Sequence, residues 1–170
     1  MPVKKKPVEK TPFSIRVKFW FFEHYWWLLC IAIAAAVVTL VVLRETLPTA
    51  ATVVGAILSV AYFLQKQKLE EMRLFRELFK ECNARYDAMN EKLAQIAEKG
   101  DVELGREDYL KVVDYLNLCG EEYLYFKRGY IEPSVWRAWN EGMKFIVAAP
   151  PIQRVWLVEK GNGSYYDLPL

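Results

Sequence analysis

The chain has 170 residues, 54% of them hydrophobic, 15% aromatic and 26% charged, with 8 Gly, 8 Pro and 3 Cys. The apolar load excludes a disordered chain, the sparse Gly and Pro exclude collagen-like and low-complexity chains, and three cysteines exclude a disulfide scaffold. A formal charge of +2 gives no case for duplex DNA as a partner.

Residues 1–24 form a basic and aromatic tail. Lys4, Lys5, Lys6, Lys10, Arg16 and Lys18 face only Glu9 and Glu23. Pro2 and Pro7 beside the lysines predict a short mobile end. Phe19, Trp20, Phe21 and Phe22, continued by Tyr25, Trp26 and Trp27, sit where an interfacial aromatic belt is expected.

Two runs of 19 residues without charge follow, at 25–43 and 46–64. A hydrocarbon core about 30 Å thick needs roughly 20 apolar residues in a helix, so each run is long enough to span it. The first run shows no polar face at any period, which argues against a buried soluble helix. A signal peptide fits less well, because 24 residues precede the run and a second run follows at once. Arg44 and Glu45 alone separate the runs, so 25–64 reads as a transmembrane hairpin. The second run exits into Lys66, Lys68, Arg73, Arg76 and Lys80. The positive-inside rule then puts both termini in the cytoplasm. Neither run contains Asp, Glu, Lys, Arg or His, which argues against a proton relay or ion-coupled transport. Ala51, Gly55 and Ser59 recur every fourth residue, as do Ala32 and Ala36. Such stripes let helices approach closely, within the hairpin or between protomers.

Residues 65–170 hold 16 basic and 18 acidic side chains and read as one cytoplasmic helical domain. Met72, Phe75, Phe79, Cys82, Tyr86, Met89, Leu93 and Ile96 alternate by three and four, a seven-residue apolar repeat. No breaker lies between Thr49 and Lys99, so the second span is expected to run on into this helix until Gly100. The seam fits a domain core better than a coiled coil, since Tyr, Cys, Met and Phe are poor seam residues. A second helix is predicted over 107–128, stopped by Gly129. Pro133 opens a third. A short fourth is predicted over 152–160, after an interruption at Pro150 and Pro151. The fold class is therefore all-α: an N-terminal two-helix transmembrane hairpin plus a small cytoplasmic helical domain.

Little here suggests catalysis. His24 is the sole histidine and lies at the membrane edge, and Cys30, Cys82 and Cys119 lack metal-ligand spacing. Glu121 and Glu122 point about 100° apart on a helix and make no dyad. No catalytic residue, metal site or cofactor is assigned. One constellation remains. Trp136, Trp139, Trp156 and several tyrosines are interleaved with Arg and Lys, the ingredients of stacking on bases and neutralising phosphates. Arg85, Lys127, Arg128 and Arg137 are the candidate phosphate contacts, with Trp136 or Tyr165 stacking. Asn83, Asn90, Asn117 and Asn140 could read base edges. Against this, Trp136, Trp139 and Met143 are also at the spacing of a helix core face.

Two resemblances add expectations. Arg85-Tyr86-Asp87 with Met89-Asn90, the stretch from Asp114 through Tyr115, Asn117, Cys119, Glu121 and Glu122 to Tyr123, Gly129-Tyr130-Ile131, Trp136 with Trp139 and Gly142-Met143, and Gly163-Ser164-Tyr165-Tyr166 together resemble a recurrent bacterial helical domain of unassigned function, often found after membrane helices. The whole layout is similar to a small transmembrane effector of type III CRISPR defence, which binds cyclic tetra-adenylate as an oligomer. That similarity rests on size and architecture, so no binding residue is carried over from it. It implies an antiviral effector in the bacterial inner membrane, a homo-oligomer such as a tetramer, with the lipid bilayer, itself and a cyclic oligonucleotide second messenger as partners. The competing expectation is a constitutive membrane anchor whose helical domain tethers a protein partner.

Overall fold

The computed structural model describes residues 12–44, 46–100 and 102–170. The lysine-rich stretch up to Thr11, Glu45 and Asp101 lie outside them. Among the described residues every regular element is a helix: α1 (Phe13–Val42), α2 (Leu47–Ala97), α3 (Arg106–Lys127), α4 (Pro133–Val147), α5 (Pro150–Glu159) and a final 3₁₀ turn over Lys160–Asn162. The chain divides into two compact units, Phe13–Leu74 and Phe75–Leu170, and α2 belongs to both.

In the first unit, α1 starts at Phe13, so residues 13–24 are helical and continue directly into the first apolar run. Nothing in that stretch breaks a helix, since Pro12 is the last proline before it. At 30 residues the helix is about 45 Å long, more than a hydrocarbon core needs. Both α1 and α2 contain segments long and apolar enough to cross a membrane. Only 6% and 0% of their most apolar windows are buried. Surface of that kind is stable only when lipid or protein covers it. Arg44 closes the first arm with φ +49. Near the opposite end, Lys18 pairs with Glu71 at 3.1 Å and Lys68 Nζ donates to the Phe22 carbonyl at 3.3 Å. Lys68 also lies 5.3 Å from the Tyr25 ring centre. Ala51, Gly55 and Ser59 face away from this seam and are exposed, and a Cβ on Gly55 would meet nothing within 4 Å.

In the second unit, α3 is central. It buries Val112, Tyr115, Leu116, Leu118, Cys119, Tyr123 and Phe126. Its end follows the Schellman pattern: Gly129 has φ +74, its N–H reaches Phe126 O at 2.9 Å, and the Tyr130 N–H reaches Tyr125 O at 3.0 Å. Pro133 opens α4 as predicted. In α5 the two prolines do not interrupt the chain ahead of the helix. They form its first turn, where amide protons have no intrahelical acceptor to lose. The C-terminal segment folds back, burying Tyr165 and Leu168 in the same core. Along α2 the apolar repeat encloses Cys82, Leu93 and Ile96, while Phe75, Tyr86 and Met89 pack against the core partly buried and Met72 and Phe79 are exposed. α3, α4 and α5 pack closely on one another, and α2 keeps a greater distance from them.

Candidate ligand cleft

That distance opens a cleft of about 640 Å³. One wall is α2, with Asn83, Tyr86, Asn90, Leu93 and Ala97 on a single helical face. The other is α4, with Trp139, Gly142, Met143 and Ile146 at spacings of three and four. Tyr115, Leu118 and Glu122 of α3 form the floor. The volume falls in the range of small-molecule sites, and the wall is mainly apolar and aromatic. No Lys, Arg or His lines it.

The aromatic groups are held by their neighbours. Trp139 stacks on Phe79 with ring centres 5.5 Å apart and planes at 20°. Tyr86 and Tyr115 lie 6.3 Å apart, and the Tyr86 hydroxyl donates to Asn90 Oδ1 at 3.0 Å. Gly142 keeps the α4 wall low, since a Cβ there would meet nothing within 4 Å.

Glu122 is the chemically distinctive group. It is 7% exposed, and its carboxyl makes no hydrogen bond or ion pair with the described residues. Burial pushes it up to about 8, against a partial lowering by Arg85 and a further rise from Glu121. The carboxyl therefore carries its proton at neutral pH. Arg85 does not reach in to neutralise it. Its guanidinium grips Glu121 through two hydrogen bonds, of 2.5 and 3.2 Å. Nearby Cys82 is pushed up to about 12, chiefly by burial, and burial also raises Cys119. Both remain neutral thiols that act as small apolar groups.

The residues singled out from sequence for phosphate and base contact do not converge on this cleft. Arg85 is committed to Glu121. Lys127 donates to the Tyr166 carbonyl at 3.2 Å and lies 5.3 Å from the Tyr123 ring. Arg128 caps α3 and is exposed, as is Arg137 on α4. Trp136 is 3% exposed, with Phe126 stacked on it at 5.1 Å and Tyr123 at 5.2 Å. It is a core residue with no free face for a base. Tyr165 packs against Gly120 and Trp156, and its hydroxyl donates to Glu159 Oε2 at 3.3 Å. Of the asparagines, Asn83 and Asn90 line the cleft. Asn140 does not, and its buried Oδ1 has no partner.

Trp139, one of the aromatic residues that the sequence sets beside Arg and Lys, lines the cleft, and so does Glu122, which residue pattern alone does not mark as a site residue. A signal for Glu122 exists in the sequence: it falls on the apolar stripe of Tyr115, Leu118, Cys119 and Phe126, where a charged residue is out of place. Tyr86, Asn90, Tyr115, Glu122, Trp139 and Gly142 line the cleft together. Compared with protein-family models, curated proteins and solved structures, the chain matches none of them.

Proposed function

We propose that the chain is a membrane-anchored receptor whose helical unit Phe75–Leu170 takes a small ligand in the cleft between α2 and α4. The observation that carries this reading is the cleft with Glu122 on its floor. A buried carboxyl without a partner costs stability, and an apolar residue of similar size would remove that cost. Groups of this kind collect at functional sites. In this reading the hairpin lies in the inner membrane, with both termini cytoplasmic by the basic flanks. α2 lines the cleft and also carries the second span. A ligand that binds one setting of α2 against α4 more tightly than another would bias that helix, and only such differential affinity turns binding into a signal.

A second reading is a homo-oligomeric antiviral effector gated by a cyclic oligoadenylate. It is favoured by Arg128 and Arg137, exposed guanidiniums with no ion pair or side-chain hydrogen bond among the described residues. The open Ala51-Gly55-Ser59 face adds to it. Four phosphates need cations and the cleft offers none, so the ring would sit between protomers and outside the cleft.

Thermal melting of the full chain in a non-ionic maltoside separates these readings. The panel comprises aromatic amines, nucleosides and cyclic oligoadenylates of several ring sizes. A ligand at 100 times its Kd adds about 2.7 kcal/mol, a shift of several degrees. Stabilisation that Gly142→Leu abolishes establishes the cleft. Stabilisation by one ring size that survives Gly142→Leu and is lost in Arg128→Ala or Arg137→Ala establishes the second reading. A cooperative melt that no member moves leaves the tethering anchor.

A further inference from the structure

We infer that the α2–α4 cleft receives an organic cation, an ammonium group on an apolar body, with Glu122 meeting its charge and Trp139, Tyr86 and Tyr115 forming the aromatic wall around it. The inference rests on the cleft being a ligand site and goes on to name the ligand's chemistry.

Three features select a cation. The first is Glu122, more than nine-tenths buried, lining the cleft and unpartnered. Arg85 is held on Glu121 by two hydrogen bonds and is not available to it. The second is the wall. Ammonium groups are attracted to aromatic faces, Trp most strongly, and the attraction grows when water is excluded. The third is the lack of any cationic lining residue, so an anion would meet a carboxyl and gain no compensating charge. About 640 Å³ leaves room for an apolar body behind the charged group.

The titratable groups around Glu122 are few. α2 contributes Arg85, Cys82 and Tyr86, and α3 itself contributes Glu121, Cys119 and Tyr115. The α4 lining residues carry none. Burial holds both thiols and the Tyr115 hydroxyl in the neutral form. Glu122 is therefore the group that changes charge near neutrality, with about 8 as its midpoint. Cation binding then displaces one proton: the acid and the ammonium become a carboxylate–ammonium pair, and H⁺ leaves to solvent.

The test uses benzyltrimethylammonium, whose charge is fixed, and its neutral isostere neopentylbenzene. Both are titrated calorimetrically into the full chain in a non-ionic maltoside. The expected result is binding of the cation at least tenfold tighter than the isostere. Its affinity should rise about tenfold per pH unit from pH 6 to pH 8 and level off above. Glu122→Gln should abolish that preference and flatten the pH profile, and Gly142→Leu should abolish binding of both probes. Glu122→Gln keeps the shape of the side chain and removes only its ability to ionise, so a lost cation preference is not a loss of fold. Equal affinity for the two probes, or cation affinity unchanged in Glu122→Gln, overturns the cation inference and leaves the cleft as a ligand site. Binding of neither probe, or binding that Gly142→Leu does not alter, overturns the cleft reading as well.

Discussion

Glu121 and Glu122 are neighbours in the chain and meet opposite surroundings. Glu121 turns to solvent and Arg85, while Glu122 turns inward. The inward carboxyl makes folding pH-dependent with a definite sign. In the unfolded chain it loses its proton near 4.5, and in the folded chain near 8. Between those values the folded state binds more protons, so stability falls as pH rises through that window. The total cost is on the order of 5 kcal/mol by the high end. Glu122→Gln lacks it. Its melting temperature should match the parent near pH 4.5 and exceed it by a growing margin up to pH 8. Parallel curves for the two proteins would show that Glu122 ionises normally in the folded state.

Residue types alone could not divide Trp136 from Trp139. Three positions apart on α4, they share one helical face, yet one is sealed in the core and the other borders the cleft. The difference arises from how far α2 stands from α4, a distance between helices that no local pattern encodes. Arg85 and Lys127 stand out in the sequence by charge, and both are held by groups from distant parts of the chain, Glu121 and the Tyr166 carbonyl.

At the scale of elements the sequence was far more legible. Apolar periodicity placed four helices in the second unit, and Gly100, Gly129 and Pro133 marked ends that the chain uses. Pro150 and Pro151 depart from the expected interruption and open α5 as Pro133 opens α4, because the first turn of a helix accepts proline. The corner between α2 and α3 is held by charge. Asp108 on the first turn of α3 pairs with Lys92 at 2.8 Å and with Lys99, and these contacts hold its carboxyl below the usual range. A depressed carboxyl contributes stability above its unfolded pKa and loses it as pH falls. Asp108→Asn should therefore melt earlier at neutral pH and converge with the parent below about pH 4, as followed by circular dichroism.

Two glycines inside helices make a paired test of packing. Glycine in a helix interior costs about 1 kcal/mol relative to alanine. At Gly142 the added methyl enters the open cleft, so Gly142→Ala should raise stability by about that amount. At Gly120 it would lie 3.3 Å from the ring of Tyr165 and 3.6 Å from its Cα. Gly120→Ala should show no gain, or a loss. A gain at both positions in denaturant titrations would mean that the C-terminal segment yields easily.

For the molecule as a whole, the broad layout of apolar helices followed by a helical unit was readable from composition along the chain. Long uncharged runs and a mixed-charge periodic segment obey different physical constraints, and those constraints are local. The extent of α1 was not readable, because the aromatic and basic residues before the apolar run also suit a helix. If the hairpin spans the inner membrane as proposed, reporters fused before Phe13 and after Leu170 should both show cytoplasmic activity, and one inserted at the turn should show periplasmic activity. Opposite signals at the two ends would mean that one apolar segment does not cross.

The unbroken course of α2 from Leu47 to Ala97 has a consequence for any influence of one unit on the other. Inserted residues cannot be absorbed by a loop and must appear as a change of phase. One added alanine between residues 65 and 74 turns everything beyond it by about 100°, whereas seven bring the faces back to within about 20° while adding roughly 10 Å of length. If ligand occupancy is felt through the angular setting of α2, the seven-residue insertion preserves the response and the single insertion destroys it. If it is felt through reach along the helix axis, the order reverses.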